Sequence, residues 1–334
     1  MSRGMCNLPV QPLATTSRYR LVSVVLVLAF TLASWSVVGC RQAPPPPAKK
    51  TVLRVAEAFA PLSTRLTEEY RRTMPDLDIQ EQPSVSSTDV LRMIQNDTLD
   101  FGVALADDAY RAHFGQGGDA ASSSEVRGIS LLQPLPMYLL VRAGSNVRSV
   151  SDLQGRVVAT GPKNTSSWTL GTLVLKAFKV ESVTIKPLNS REAAAQGLKD
   201  GSLDAIVLPG YVYPDEVTLA VIRDGAYLLP IAGSPIEQLR RESPFVRVVM
   251  IPRDIYPGQD KIIPTVGIDM LIVCRRSLDD QLTYRLTEQL FTVFPRLARV
   301  EATMRFLNLD EAPATPIPLH PGAARYFRER ELSR

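Results

Sequence analysis

The sequence predicts an α/β protein with two lobes that are joined by two crossing strands. Short apolar runs of strand length alternate with segments of helical periodicity, which is typical of a parallel sheet covered by helices. This alternation occurs twice, before and after a loop rich in Gly, Ala and Ser from Gly115 to Ser124. A late apolar run, Gly267–Cys274, returns the chain before the C-terminal helices and provides the second crossing.

The first lobe is predicted to contain three strands and two intervening helices. The strand-like runs are Val52–Ala56, Asp76–Gln80 and Phe101–Leu105. The first helix follows a turn at Pro61 and has apolar residues at helical spacing, namely Leu62, Leu66, Tyr70 and Met74. Thr88 is predicted to cap the second helix, which carries Val90, Leu91 and Ile94.

The second lobe repeats the pattern. Its strands are Pro136–Arg142, Val157–Thr160, Val183–Ile185 and Ala205–Leu208. One helix is marked by Leu170, Leu173, Val174, Ala177 and Phe178, and another begins at a capping-box-like pair, Asn189 and Glu192. A final helix is periodic in Leu278, Leu282, Leu286 and Leu290. We therefore expect residues 51–138 and 268–334 in lobe 1, and residues 139–267 in lobe 2.

The N-terminal segment is predicted to be a targeting signal. Arg18 and Arg20 precede an uncharged run that ends in Val37-Val38-Gly39-Cys40, which resembles the site cut by lipoprotein signal peptidase. Residues 1–39 would be removed, Cys40 would carry the lipid, and residues 40–50, with four prolines, would form a stiff tether. The alternative is an uncut transmembrane anchor, since the run is long enough to span a bilayer. Either way the body lies outside the cytoplasm, in the periplasm, with the outer membrane as the default because Arg41 gives no acidic retention signal.

Composition argues against several classes of function. Three of the arginines behind the formal charge of +4 lie in residues 1–39, which leaves about +1 and no case for nucleic-acid binding. Cys274 lies alone in an apolar run and is predicted to be a buried small hydrophobe. The two histidines, His113 and His320, form no metal-ligand pattern, and no nucleophile elbow, phosphate loop or dinucleotide motif occurs. The sequence therefore predicts neither an enzyme nor a metal or cofactor site.

Two polar loops each lie after a strand and before a helix. They are Gly161–Ser167 in the second lobe and Ser84–Thr88 in the first. Backbone amides at a helix start, with Ser and Thr hydroxyls, suit a carboxylate or a phosphate, and Lys163 adds charge. An ordinary helix cap with solvated side chains explains the same residues equally well. If the two loops face each other across a cleft, they can clamp one small anion.

Four stretches of the sequence resemble the TAXI family, the solute receptors of one class of tripartite ATP-independent periplasmic (TRAP) transporters. They are Ile317–Phe327, Tyr256–Asp260 followed by Pro264–Val266, Leu208–Tyr211, and Ser151–Val157 before Gly161-Pro162. The resemblance covers about Val52 to Glu329. It implies a periplasmic-binding-protein fold of the second type, monomeric and closing on a small organic acid such as glutamate or a dicarboxylate. The loaded protein would deliver its ligand to a TRAP-type permease.

The chain departs from this family at three turns. The family's glycine-rich turn after the first strand is replaced by Glu57–Leu62, its Ser-Gly-Thr by Thr165–Ser167, and paired glycines near Ser84 by Val85 and Ser86. Because glycine allows positive φ and close backbone approach, these losses are expected to reshape the pocket. His320 and Arg325 either contact a ligand or permease or, as we favour, belong to a turn and helix that pack Tyr326 and Phe327 on lobe 1.

The leading hypothesis is a solute-binding protein whose ligand lies between the lobes. The resemblance and the polar loops together nominate the ligand-binding residues Glu57, Phe59, Ser84, Ser86, Ser87, Thr165, Ser166, Ser167, Trp168, Gly210 and Tyr211. Hydroxyls and amides would hold the acid group, while Trp168 or Tyr211 covers an apolar portion. The alternative from another class is a lipid-tethered regulatory or sensory protein that keeps the fold without transport. An enzyme on the same fold is a weaker third.

Overall fold

The computed structural model describes residues 50–115, 125–188, 190–210, 215–300 and 308–333. The predicted leader, the lipidation site Cys40, and the positions Asn189 and Tyr211 lie outside the described residues. None of the helices in the described ranges is both long enough and apolar enough to cross a membrane.

The first half of the described chain begins with the alternation that the sequence predicts. Its elements are β1 (Thr51–Ala56), α1 (Leu62–Thr73), β2 (Leu77–Gln82), α2 (Ser87–Gln95), β3 (Phe101–Leu105) and α3 (Ala106–Phe114). Helix α3 is not predicted by the sequence, because it follows β3 without a turn. Its first turn carries Asp107 and Asp108, which are buried rather than solvated.

The rest of the chain forms a second α/β unit and the C-terminal helices. A long strand β4 (Val126–Val141) leads through a single helical turn, Val150–Leu153, to β5 (Val157–Thr160). The following elements are α4 (Ser166–Ala177), β6 (Thr184–Pro187), α5 (Arg191–Asp200), β7 (Ala205–Pro209), α6 (Glu216–Arg223), β8 (Tyr227–Leu228), α7 (Ser234–Glu242), β9 (Val246–Ile251), β10 (Ile263–Arg275), α8 (Asp280–Val300) and α9 (Pro321–Leu332).

Strands β4 and β10 are shared by the two halves of the sheet. The strand order is β2-β1-β3-β10-β4-β7-β5-β6, with β9 paired to β10 and β8 paired to β4. Strand β10 is antiparallel to both β3 and β4, and the last five residues of β4, Met137–Val141, pair with β7 instead. The lobe boundaries predicted at residues 138 and 268 fall inside these two long strands.

The crossing point of β4 and β10 requires a glycine. Gly267 pairs with Pro136, and a Cβ at position 267 would lie 2.5 Å from the carbonyl oxygen of Leu135. A side chain there would force the two backbones apart. The pairing register also shifts after Met270 and after Ile272, which increases the local twist of these strands.

The largest apolar cluster contains residues from both halves. It joins Val90 and Ala109 of the first half to Leu170 and Leu239 of the second. The rings of Tyr110 and Phe245 make a further contact across it, with centroids 5.5 Å apart. The halves therefore pack on each other through an apolar interface as well as through the shared strands.

Cys274 and the C-terminal motif pack against the first half of the chain, in one apolar cluster with Leu53 and Leu62. Cys274 is free and fully buried in β10, as predicted, and burial raises the pKa of its thiol. His320 is also fully buried, and its Nδ1 accepts a hydrogen bond of 3.2 Å from the amide of Gly322 at the start of α9. Tyr326 stacks on Phe291 of α8, with ring centroids 5.4 Å apart. These contacts support the structural interpretation of the C-terminal motif.

Arg325 has structural partners as well. Its guanidinium lies 4.4 Å from the centre of the Tyr284 ring and donates a hydrogen bond of 2.7 Å to Gln281. A cation over an aromatic face is a stabilising arrangement. Both Tyr284 and Gln281 belong to α8, so Arg325 fixes α9 against that helix.

Candidate functional site

A cavity of about 290 Å³ lies where the two halves and the two shared strands meet. Its apolar walls come from Phe59, Leu105, Leu135, Pro136, Met137, Leu170, Pro209 and Ile268. Its remaining walls come from Thr165, Ser166, Ser167, Arg191 and Gly210. The cavity is therefore largely apolar, with hydroxyls and one guanidinium on the side of the second half.

The hydroxyls lie at the start of α4. Thr165 is the N-cap residue: its Oγ1 accepts a hydrogen bond of 3.4 Å from the amide of Trp168 and donates one of 2.7 Å to the carbonyl of Pro162. A Cβ at Gly161 would lie 2.9 Å from Thr165 Oγ1, so a side chain there would displace the capping hydroxyl. The first amides of a helix lack partners within the helix and carry a partial positive charge. This end of α4 can therefore attract an acid group.

An acid group of the protein itself already occupies part of this helix start. The hydroxyl of Ser166 donates a hydrogen bond of 2.7 Å to the carboxylate of Asp107, which lies on α3 and is fully buried. Burial and the neighbouring Asp108 raise the pKa of Asp107 to about 6, while Arg111 acts in the opposite direction. Arg111 also donates a hydrogen bond of 2.7 Å to Thr169, so a second polar contact joins α3 to α4.

Arg191 is the charged residue among the described lining residues, and the sequence did not nominate it as ligand-binding. It is the first residue of α5, after the N-cap Ser190, and it is half-buried. Its Nη1 donates a hydrogen bond of 2.8 Å to the carbonyl of Pro209, and its Nη2 donates one of 2.8 Å to Asp215, the N-cap of α6. The sequence offers only an arginine at a predicted helix start, which is an ordinary solvated position. The contact with the end of β7 is what directs it to the cavity.

Two of the motifs that resemble the TAXI family meet behind this wall. A Cβ at Gly210 would collide with the ring of Tyr138, and the amide of Gly210 donates a hydrogen bond of 2.8 Å to the carbonyl of Pro136. Tyr138 is fully buried and meets Tyr256 edge to face, with ring centroids 5.7 Å apart. The Pro209-Gly210 turn and Tyr256 therefore set the shape of the cavity wall together, through Tyr138.

Phe59 comes from the first half and has an unusual backbone. Its φ is 68°, in the left-handed region that favours glycine, and its half-buried ring lines the cavity. The turn after β1 therefore has a left-handed backbone at Phe59 although the residue there is not glycine. Residues held in such conformations concentrate at functional sites.

The three serines of the first polar loop do not line the cavity, and each makes a structural hydrogen bond. Ser84 accepts from the amide of Ala58 at 2.9 Å, Ser86 caps α2 by accepting from Asp89 at 3.1 Å, and Ser87 accepts from Leu105 at 2.9 Å. The expected clamp of two polar loops is thus one-sided. The polar side chains of the cavity lining come from the second half.

The remaining nominated residues divide as follows. Phe59, Thr165, Ser166, Ser167 and Gly210 line the cavity. Glu57 is exposed, and Trp168 is half-buried with Lys163 positioned 5.7 Å from its ring centre; neither lines the cavity. Tyr211 directly follows the lining residue Gly210 and lies outside the described residues.

Comparison with known proteins supports the assignment of the fold. A profile of the NMT1-like family matches residues 58–330. XAC2383 from Xanthomonas citri, solved bound to ATP, aligns over 84% of this chain and 99% of its own, with 15% identity and a TM-score of 0.53. A protein from Methylobacillus flagellatus KT, described as the periplasmic sulfonate-binding protein SsuA of a putative sulfonate ABC transporter, aligns over 80% of this chain and 76% of its own. That alignment has 13% identity and a TM-score of 0.51. The predicted α/β fold of the periplasmic-binding-protein type is confirmed.

Proposed function

Because the chain belongs to the NMT1-like family, we propose that it is an extracytoplasmic receptor that binds a small organic acid between its two lobes. The observation that carries this proposal is the cavity at the meeting of both halves, with an apolar body and one polar wall. Ligand pockets are commonly concave, largely apolar and supplied with a few convergent polar groups. The chain is accordingly a binding protein and not an enzyme.

Recognition of the acid group falls to the second half. Arg191 provides a guanidinium and Ser167 provides a hydroxyl, whereas the hydroxyl protons of Thr165 and Ser166 are donated to Pro162 and Asp107. Phe59 and Leu105 of the first half would close over the apolar part of the ligand. Since β4 and β10 connect the halves, bending of these strands would let the cavity open and close.

The ligand would be delivered to a membrane permease. The TAXI-like motifs favour a TRAP-type permease, whereas the solved relative from Methylobacillus flagellatus KT is described with an ABC transporter. The two classes differ in their energy source. Uptake into vesicles that carry the permease and this receptor should follow an ion gradient for a TRAP system and should require ATP for an ABC system.

The receptor would be held in the periplasm by a lipid on Cys40. A diacylated anchor keeps a protein on a membrane that its polar body alone would leave. The variant Cys40→Ala should therefore be released from the membrane fraction. Retention of this variant in the membrane would instead favour the uncut transmembrane anchor.

The test of the ligand is a thermal-shift screen against monocarboxylates, dicarboxylates, amino acids and sulfonates. A ligand that binds only the folded state at about one hundred times its dissociation constant adds about 2.7 kcal/mol to the free energy of unfolding. The shift should be lost in Arg191→Gln and retained in Arg285→Gln, because Arg285 pairs with Asp76 and lies outside the cavity lining. If no acid raises the melting temperature, the lipid-tethered regulatory alternative is favoured.

A further inference from the structure

Asp107 places a carboxylate beside a cavity that is proposed to bind acid ligands, and its negative charge would repel such ligands. Its carboxylate is fully buried and accepts the hydrogen bond from Ser166, a residue of the cavity wall. Leu105, two residues earlier, is also part of that wall. The carboxylate therefore lies directly behind the lining, against the first residue of α4.

When Asp107 is ionised, its carboxylate partly neutralises the positive N-terminus of α4, which would otherwise attract an anionic ligand. The positive end of a helix stabilises one nearby anion most strongly, and its effect falls off within the first turn. A second anion brought to Ser166 would also be repelled by Asp107 through a poorly screened region. The start of α4 thus rejects a fully charged acid group as long as Asp107 is ionised.

The lining offers one other place for an acid group, at Arg191 of α5. Among the described lining residues Arg191 is the single cationic side chain, and its charge is shared with Asp215. The same set contains no carboxylate that could pair with an ammonium group. The rest of the lining is mostly apolar, and it favours an uncharged ligand body.

We propose that Asp107 determines which ligand charge the cavity accepts. Because its carboxylate occupies the N-terminus of α4, the cavity accepts a monoacid with an apolar body and rejects diacids. This inference rests on the proposed receptor function and narrows its ligand class. It runs against the glutamate-like or dicarboxylate ligand that the TAXI resemblance implies. Asp107 acts here as a specificity-determining residue.

The charge of Asp107 can be changed by acidification as well as by mutation. The charged groups that face it are Asp108 and Arg111, both on α3, while α4 presents the hydroxyls of Ser166 and Thr169. The charged residues of the other packed elements pair elsewhere: Asp89 with Arg92, Asp269 with Arg247, and Arg275 with Asp100. Burial raises the pKa of Asp107 to about 6. A fall in pH through this value should therefore weaken the rejection of diacids.

The experiment compares butanesulfonate with the disulfonate of the same four-carbon chain, because sulfonates stay ionised throughout this pH range. Binding is measured by titration calorimetry on the full chain in lipid nanodiscs, for the unmodified protein, Asp107→Asn and the control Asp108→Asn. The control removes an equal charge from the adjacent position, which does not contact Ser166. We expect the unmodified protein to prefer the monosulfonate by about tenfold or more near neutral pH. This preference should fall to about threefold or less in Asp107→Asn and persist in Asp108→Asn.

A second measurement needs no variant. In the unmodified protein, the preference for the monosulfonate should shrink as the pH is lowered from about 7.5 to about 5. An unchanged preference in Asp107→Asn, or in the unmodified protein at low pH, overturns the role of Asp107 and leaves the receptor function intact. If no acid of the screen binds to any of the three proteins, the receptor function fails and this inference fails with it.

Discussion

The backbone of Phe59 gives the sharpest test of how this site is built. At a φ of 68° a residue with a Cβ is strained by about 1–2 kcal/mol, and glycine is not. Replacing Phe59 by Ala or by Gly removes the same ring, so the loss of packing is common to both variants. The difference in the free energy of unfolding between the two variants therefore measures the strain of the backbone at this position. We expect Phe59→Gly to be more stable than Phe59→Ala by about 1 kcal/mol.

The control uses the same pair of substitutions where the backbone is ordinary. Glu68 is exposed in the middle of α1, and there alanine should be more stable than glycine by about 1 kcal/mol. Urea unfolding of the four variants gives the two differences, provided the slopes with denaturant agree. We expect glycine to be the more stable replacement at Phe59 and alanine to be the more stable replacement at Glu68. If Phe59→Ala is as stable as Phe59→Gly or more so, the left-handed backbone at Phe59 is not present in solution.

Four further predictions concern the effects of substitutions at Arg191, Gly210, His320 and Asp269. Arg191→Gln should weaken binding of an acid ligand by about tenfold to hundredfold in calorimetry, because a charged hydrogen-bond donor is lost; unchanged affinity would place the acid group elsewhere. Gly210→Ala should lower the free energy of unfolding by about 1–3 kcal/mol through the collision with Tyr138, and Tyr138→Leu in the same chain should recover part of that loss. His320→Ala should cost about 1–2 kcal/mol through loss of the α9 cap without changing ligand affinity, and a loss of affinity would restore the ligand-contact interpretation. Burial raises the pKa of Asp269 to about 6, above its unfolded value of 3.8, so the folded chain takes up a proton there that the unfolded chain does not. When the pH is lowered from about 7 to about 5, the free energy of unfolding of the unmodified protein, measured with urea, should rise by about 1 kcal/mol relative to that of Asp269→Asn. An equal response of the two proteins would contradict the raised pKa.

The elements that the sequence predicts well are those whose apolar residues face one continuous core. Strands such as Phe101–Leu105 and Ala205–Leu208 are recognisable because burial on both faces leaves no polar positions. The role of Gly267–Cys274 as a crossing strand was predictable for the same reason. Helix α3 was not predictable, because the buried acids in its first turn appear in the sequence as a solvated loop.

The site was harder to predict than the fold. Arg191 and Asp107 reach the cavity region only through contacts between elements that are distant in sequence: Arg191 with the end of β7, and Asp107 with the start of α4. Helical or strand periodicity carries no information about such contacts. Ser84 and Ser87 show the reverse case, because a hydroxyl-rich loop before a helix satisfies backbone amides as readily as it binds an anion.

The positions that carry the resemblance to the TAXI family are mostly structural in this chain. His320 caps a helix, Tyr256 supports the ring behind Gly210, and Gly210 is required by that ring. Similarity at these positions therefore reports how the lobes are built and packed, and two receptors can share it while binding different ligands. The residues that line the cavity, or lie directly behind its lining, include Phe59, where the chain departs from the family, and Asp107. It follows that the ligand must be inferred from the cavity. The one guanidinium among its described lining residues, and the Asp107 carboxylate behind that lining, favour one acid group on an apolar body over the two acid groups of glutamate.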